Sequence, residues 1–446
     1  MLVSLLAMYR LSAKGGVLEH LTTPWGMVLL VASVGALLLM WVVGAGCFQE
    51  WRAGSRKMLF TVITGLFLVC AFTVMLEVSL RLIAVPHPWS LYDEVVGGLT
   101  LQPRQWGKVT AVYTQSFATR SMEKAFLVSD PVMGWTVGPS RSSESGMYFS
   151  SSDGFRSGSS GGSVREESLP CRVALIGDSF TFGEGVRFED TWGSVLGEAL
   201  GTHCQVLNFG VPGYGIDQIY LRYMKDVRPW HPTIVIASFI EDDLRRTMSV
   251  YAFLMFPAAK FPFTKPRFVL DDSGRLKLAR RPDASLEEPF RHASIHGLPG
   301  ISYDVMYAPL EWEQAGWEWF SRSYLLRLLV SLHPPFNIAR PEVSREAMLD
   351  LNSQLLLSLR REITVDGAKP LVVVMPEVKD LKDGAAEGLG AKLLGGHKVP
   401  YTDLRVCMKA EASDDLFIPP SLGGHYSPKG NRLVARCLFE EIRANL

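Results

Sequence analysis

Two stretches of this chain carry no charged residue, and they fix its overall plan. They are residues 25–47, "WGMVLLVASVGALLLMWVVGAGC", and residues 58–76, "MLFTVITGLFLVCAFTVML". About 20 apolar residues span the hydrocarbon core of a bilayer as a helix. Both stretches reach that length, and both are apolar all round rather than along one stripe. A secretory signal peptide would be shorter, begin earlier and end in a small-residue cleavage site. The chain is therefore expected to cross a lipid bilayer twice. Arg52, Arg56 and Lys57 lie in the connecting "FQEWRAGSRK". Positive loops stay cytoplasmic, so both termini, and everything after residue 77, are expected on the periplasmic or extracellular side of a plasma membrane. Arg10, Lys14 and Arg81 argue the other way.

The remainder has the makings of a folded body. Apolar residues make up 48% of the 446, charged residues 20%, and 45 Lys+Arg balance 45 Asp+Glu. Zero net charge, with no basic run interleaved with aromatics, gives nucleic acid no electrostatic hold. Of six cysteines, Cys47 and Cys70 fall in the apolar stretches, and Cys171, Cys204, Cys407 and Cys437 in the rest. Four cysteines allow three pairings. Cys171 and Cys204 each open an expected strand, so either a bond between neighbouring strands or buried thiols would suit them. No Cys/His grouping has metal-ligand spacing, and no cofactor or metal is expected.

After a tail over 1–24 and the two spans, residues 77–168 read as a juxtamembrane and lead-in region. "LEVSLRLI" continues the second helix, 130–156 is rich in turn residues, and "SGSSGGSVREES" has linker composition. From residue 171 the rhythm changes. "CRVALIG", "CQVLNFGV" and "TIVIASFI" are continuous apolar runs, and helical spacing separates them at 190–201 and 215–227. Alternating strands and helices imply an α/β fold with a parallel sheet covered on both faces. Residues 245–340 break the pattern as an inserted subdomain, with a hairpin at 265–282 and a helix at 321–332. Trp312, Trp317 and Trp319 there suit packing or sugar stacking. The rhythm resumes with helix 344–364, strands 370–376 and 399–406, and a closing helix from Pro428. One domain is thus expected over 169–446.

Ligands of an open parallel sheet bind beyond the carboxyl ends of its strands. There the sequence places Gly177-Asp178-Ser179, Asn208-Phe209-Gly210, Glu241-Asp242-Asp243 and, late in the chain, His425 in "GGHYSPKGN". A serine, a histidine base and backbone donors suffice for acyl transfer. Asp178 and Ser179 equally suit a plain helix cap.

These blocks resemble the SGNH (GDSL-type) hydrolases, in particular a membrane-anchored bacterial branch. "VALIGDSFTFGEGV", "LNFGVPGYG" and "GGHYSPKGNRLVA" carry the family resemblance, and "MGWTVGPS" and "SSDGFRSG" resemble the lead-in of the membrane-anchored members; the resemblance covers roughly 130–446 apart from the insertion. It implies a flavodoxin-like sheet, with Ser179 as nucleophile, His425 as base, and the Ser179 and Gly210 amides as oxyanion donors. Asp178, Asn208 and Asp243 would flank the site. Two departures stand out. Asp242 occupies the place of an oxyanion-binding Asn, where it could instead form a capping pair with Asp243. Gly423 and Leu422 occupy the place of the acid that orients the histidine, leaving Asp414, Asp415 or a backbone carbonyl as substitutes. The expected function is a membrane-anchored serine esterase or O-acyltransferase acting on a lipid, a small ester or an envelope polysaccharide. The same departures would suit an inactive glycan-binding or scaffold module.

Overall fold

A computed structural model describes residues 55–443, apart from 120–123, 163–168, 308–309, 333–343, 383–387, 397–398, 412, 420 and 422. The first expected span, 25–47, lies outside the described residues. The second is present as α1 (Ser55–Ile83), whose Leu59–Ile83 portion is long and apolar enough to cross a membrane and is almost wholly uncovered by the rest of the chain.

The central sheet has seven strands: β1 (Phe149–Ser150), β2 (Arg156–Ser157), β3 (Cys171–Ile176), β4 (Cys204–Asn208), β5 (Ile234–Phe239), β6 (Lys369–Val374) and β7 (Thr402–Asp403). Their spatial order is β7-β6-β5-β3-β4-β2-β1. The run from β7 to β4 is parallel, and β2 and β1 add antiparallel strands at one edge. Counting the five parallel strands alone, the order is 2-1-3-4-5, the flavodoxin-like winding. Two strands of the sheet thus precede residue 169 and come from the turn-rich lead-in.

The apolar strands are continuous because both faces are covered. Along β3 and β5, Ala174, Ile176, Val235 and Ala237 enter one core, while Val173, Leu175, Ile234 and Ile236 enter the other. The helices divide accordingly. On the first face lie Ile216 and Ile219 of α5 (Ile216–Arg222) and Leu351, Leu355 and Leu359 of α9 (Arg345–Val365). The second face carries Trp192 and Leu196 of α4 (Trp192–Leu200), with Leu433, Val434 and Leu438 of α10 (Pro428–Arg443). Disulfides join Cys171 to Cys204 across the first registered pair of β3 and β4, and Cys407 to Cys437.

Expectation and structure differ at "VPYTDLRV". Only Thr402–Asp403 pairs with the sheet, because Asp403 caps the amide of Arg405 and turns the chain into a helix at Leu404–Met408. The helix expected at 321–332 is divided at Ser323 into α7 (Glu318–Arg322) and α8 (Tyr324–Leu332). The expected hairpin is present as Arg267–Leu270 paired with Leu276–Arg280.

The insertion does not stand alone. Val250, Tyr251, Phe253, Phe290, Ile295 and Leu298 share a core with Tyr92 and with Val109 and Tyr113 of α2 (Trp106–Ala118). Lys265 and Asp217, both fully buried and 2.5 Å apart, tie it to α5. The end of α1 also docks. Leu80 packs with Val96, Leu101 and Leu328, and Glu77 accepts hydrogen bonds from the Tyr324 and Leu325 amides and the Ser323 hydroxyl, each at 2.9 Å. The first amides of α8 are capped by a carboxylate from another helix, which satisfies donors that a helix start leaves free.

Candidate active site

Strand β3 stops at Gly177 because only glycine fits there. A Cβ at Gly177 would lie 2.0 Å from Thr181 Oγ1 and 2.6 Å from the Ser238 carbonyl oxygen of β5. The chain then enters α3 (Ser179–Phe182), a single turn. Asp178 caps it by accepting the Phe180 amide at 2.9 Å, and Gly183 ends it at φ 80°. The Thr181 hydroxyl lies 2.5 Å from that of Ser238, pinning the turn to β5. Ser179 thereby stands at the carboxyl end of β3, where the strand order reverses between β3 and β5 and where open sheets bind ligands.

His425 reaches it from the far end of the chain. Its Nε2 lies 2.8 Å from Ser179 Oγ. Gly423 (φ 112°) and Gly424 (φ 68°) take left-handed conformations that bring the histidine back over α3. The Phe180 ring lies against the imidazole at 4.8 Å, and Tyr426 anchors the segment through its hydroxyl to the Pro376 carbonyl at 2.6 Å. The histidine Nδ1 is buried and makes no hydrogen bond among the described residues.

Asp414 and Asp415, the expected substitutes for an orienting acid, do not supply one. Both are exposed, and Asp415 binds Lys429 at 2.8 Å and the Ser413 hydroxyl at 2.5 Å. The carboxylate that does approach is Glu184, whose Oε2 lies 3.8 Å from His425 Nε2, on the serine side of the ring. Glu184 belongs to the "GEG" that follows α3. Only its place in that motif marked it in the sequence.

The Gly210 amide is already committed. It donates to Asn208 Oδ1 at 2.9 Å, while Asn208 Nδ2 donates to the Thr181 carbonyl at 2.7 Å. Asn208 thus clamps the loop after β4 onto α3. A Cβ at Gly210 would lie 2.5 Å from the Phe182 nitrogen, so the residue is set by close packing. Gly213, three residues on, has φ 81°; no hydrogen bond from its amide is found among the described residues, which leaves it as the next candidate donor.

Asp242 stands half-buried in the first turn of α6 (Glu241–Arg246), and Asp243 beside it is fully buried. Asp243 accepts the Ile240 amide at 3.1 Å, the capping role weighed for this pair. It also accepts Arg246 Nη1 at 2.5 Å. The same nitrogen lies 3.3 Å from Asp178 Oδ2 and 3.3 Å from the Tyr214 carbonyl. One guanidinium therefore joins the loops that follow β3, β4 and β5. Burial, and then the charge of Asp178, push the Asp243 carboxyl well above the usual range. Burial opposes the charge on Arg246, but the Asp243 and Asp178 carboxylates outweigh it and hold the guanidinium charged. Sequence reading missed Arg246, although its spacing of three from Asp243 at a helix start was visible. No group of three or more His, Cys, Asp or Glu side chains suited to a metal ion occurs among the described residues.

No family model and no curated protein matches the chain. Among solved structures it is similar to the lipase/acylhydrolase from Enterococcus faecalis, at 13% identity over 62% of this chain and 97% of that one, with a TM-score of 0.32. It is also similar to a catalytic mutant of an acetylxylan esterase from Geobacillus stearothermophilus, at 11% identity over 62% and 96% of the two chains, with a TM-score of 0.33. Likeness at this level assigns no activity.

Proposed function

We propose that this chain is a membrane-anchored serine esterase or O-acyltransferase working through a Ser179–His425 dyad. The observation that carries the reading is the 2.8 Å approach of His425 Nε2 to Ser179 Oγ at the switch point of the sheet. In the proposed reaction Ser179 Oγ attacks an ester carbonyl as its proton passes to His425 Nε2. The tetrahedral oxyanion is held by the Ser179 amide and by an amide of the 211–214 loop, with Gly213 the candidate. Collapse releases the alcohol, which takes the proton from His425, and leaves an acyl-serine. Water, or the hydroxyl of an acceptor, then removes the acyl group with His425 again as base. Asp242 contributes no donor while ionised, so the oxyanion rests on backbone amides. Glu184 stabilises the imidazolium that each half-reaction forms.

α1 supports anchoring in a membrane, and the two disulfides support an oxidising compartment. We assign the domain to the outer face of a plasma membrane, with an acyl ester on an envelope glycan or lipid as substrate. The test is intact-mass analysis of the full chain after a fluorophosphonate probe. One adduct is expected on the native chain and none on Ser179→Ala; equal labelling of both would sink the dyad.

A second reading has its own observation. Among the described residues His425 Nδ1 is buried without a partner, as in a site no longer held for catalysis. It makes the chain a glycan-binding or scaffold relative. It predicts that the folded native chain takes no adduct, turns over no ester, and binds glycan equally as Ser179→Ala.

A further inference from the structure

The register of α8 against α1 sets the height of the insertion along the membrane helix. The Glu77 carboxylate takes the Tyr324 and Leu325 amides that open α8. A turn further along α1, Leu80 shares a cluster with Leu328, a turn further along α8. The two helices therefore run side by side in the same direction, away from the apolar stretch of α1. The later part of α8 is tied to the chain beyond the membrane helix: Arg327 donates to the Leu101 and Pro103 carbonyls, and the Ser331 hydroxyl accepts the Gln102 amide. The chain that precedes Ser323 thus lies at the bilayer end of α8. Arg81 fixes it there by donating to the Arg322 carbonyl at 2.8 Å.

At that height α1 is still apolar and uncovered. Val74, Met75 and Val78 are each about half exposed or more. About 20 residues span a hydrocarbon core, and counted from Leu59 that length ends near Val78. The boundary between hydrocarbon and water then falls beside Glu77 and Arg81, the two residues that hold the junction of α7 and α8. α7 brings an aromatic group to this level. The Trp319 ring stacks on Trp317 at 5.7 Å and stands edge-on to the buried Phe320 at 5.8 Å, and Trp317 stands edge-on to Trp312 at 5.2 Å. The other rings pack the insertion, but Trp319 is 62% exposed. An indole has an apolar body and one polar N–H, which suits the headgroup boundary better than water.

The charges around Trp319 come in pairs. Arg81 lies 2.9 Å from Glu77, and Arg322 lies 4.0 Å from Glu318. Both guanidinium side chains are exposed, as snorkelling cations at a bilayer edge are. Leu82 and Val85, also exposed, extend the apolar surface past the level of Arg81. An exposed tryptophan, exposed leucine and valine, and charges that cancel thus adjoin the uncovered apolar side of α1. That continuity selects a lipid surface as the occupant.

We propose that α7 lies in the headgroup–acyl boundary of the membrane that α1 crosses, with Trp319 as its anchor, so that the domain touches the bilayer at a second point beside its helix. The proposal rests on the membrane anchoring proposed above. It is independent of any ester chemistry.

The experiment is depth-dependent fluorescence quenching on the full chain, one chain per phosphatidylcholine nanodisc, so that no second copy can cover the patch. Two single-thiol chains carry a nitrobenzoxadiazole label, with the disulfides left intact. The first keeps the exposed Cys70 in a Cys47→Ser chain and reports whether α1 spans. The second combines Cys47→Ser and Cys70→Ser with Glu318→Cys, which leaves every tryptophan in place and breaks only an exposed pair of little worth. The Cys70 label is expected to be quenched most by lipid bearing a nitroxide deep in its acyl chain. The 318 label is expected to be quenched about twofold or more better by a nitroxide near the headgroup than by the deep one, and to be shielded from iodide. Adding Trp319→Ser is expected to raise iodide quenching at 318 about threefold or more by removing apolar area from the lipid, with the melting temperature unchanged because the side chain is exposed. A 318 label open to iodide while the Cys70 label is quenched by deep lipid would overturn the second contact and leave the anchoring intact. A Cys70 label open to iodide would overturn the anchoring and this proposal with it. A 318 label shielded from iodide but quenched by neither lipid, or unmoved by Trp319→Ser, would also overturn the proposal. None of these outcomes bears on whether Ser179 labels.

Discussion

Arg246 Nη1 lies 2.5 Å from the carboxylate of Asp243 and 3.3 Å from that of Asp178, the residue before the candidate nucleophile. The rim of the candidate site is thus held by one guanidinium, 13% exposed, between two fully buried acids. Removing the cation leaves the buried Asp178 carboxylate uncompensated and takes a hydrogen-bond partner from Asp243. Arg246→Met is expected to cost about 3–5 kcal/mol of stability, as for other buried ion pairs broken on one side. Urea denaturation in detergent measures it, and a loss below 1 kcal/mol would show that the guanidinium does not hold the rim.

Asp243 gives a pH dependence with a defined sign. Its folded-state pKa is raised by burial and by Asp178, so folding favours its protonated form. The stability this contributes is complete below the unfolded value of about 3.9 and is lost as pH rises through the folded value. Asp243→Asn keeps an acceptor but cannot ionise. The melting temperature of the variant minus that of the native chain is therefore expected to increase as pH rises from about 4. A difference that stays flat or falls would refute the raised pKa.

Gly177→Ala tests the sharp turn itself. Its methyl group would sit 2.0 Å from Thr181 Oγ1, and β5 backbone blocks relief at 2.6 Å. Displacing α3 by an ångström is expected to lower fluorophosphonate labelling of Ser179 roughly a hundredfold, since misplacement of that size costs about that much. Labelling within a few-fold of native would mean the turn is not set by this contact.

Glu184→Gln removes the carboxylate 3.8 Å from His425 Nε2 but keeps the shape of the side chain. The Glu184 side chain is 39% exposed, so the screened pair is worth about 0.2–1 kcal/mol. Ester kcat/KM is expected to fall up to about fivefold, and less in high salt, where the charge is already screened. An unchanged rate at low salt would remove Glu184 from the mechanism.

The disulfides close loops with sequence separations of 33 and 30. Reduction, or Cys→Ser at both members of either pair, is expected to cost about 2–4 kcal/mol by releasing the unfolded chain. Thermal melts with and without reductant measure this, and coincident melts would show that the bonds add nothing.

What the sequence made legible is what short-range pattern encodes. β3 and β5 announced themselves because strands buried on both faces need uninterrupted apolar residues. Ser179 and His425 were legible because each sits in a dense local motif. The boundaries of β7 were not, since "YTDLRV" fits a strand until the Asp403 side chain caps the next helix. Roles set by side-chain partners, near or far, stayed hidden. Gly210 read as a free donor, yet Asn208, two residues earlier, takes its amide. Asp414 and Asp415 were near His425 in sequence, but Lys429 draws Asp415 to the surface. Glu184 stands 241 positions from His425, and only the folded chain brings them together.

The docking of α1 carries a consequence for how such a domain would work at a surface. A flexible stalk lets an enzyme swing and sweep a hemisphere of neighbouring targets. Here Leu80 is plugged among Val96, Leu101 and Leu328, and Glu77 is bolted to α8. The domain then has a fixed stance, with its rim at a set height and tilt, and partners must be delivered to it. Severing the chain after Ile83 would also strip a plug from an apolar socket. A soluble version is better behaved if it retains the last two turns of α1, with their outward-facing leucines made polar.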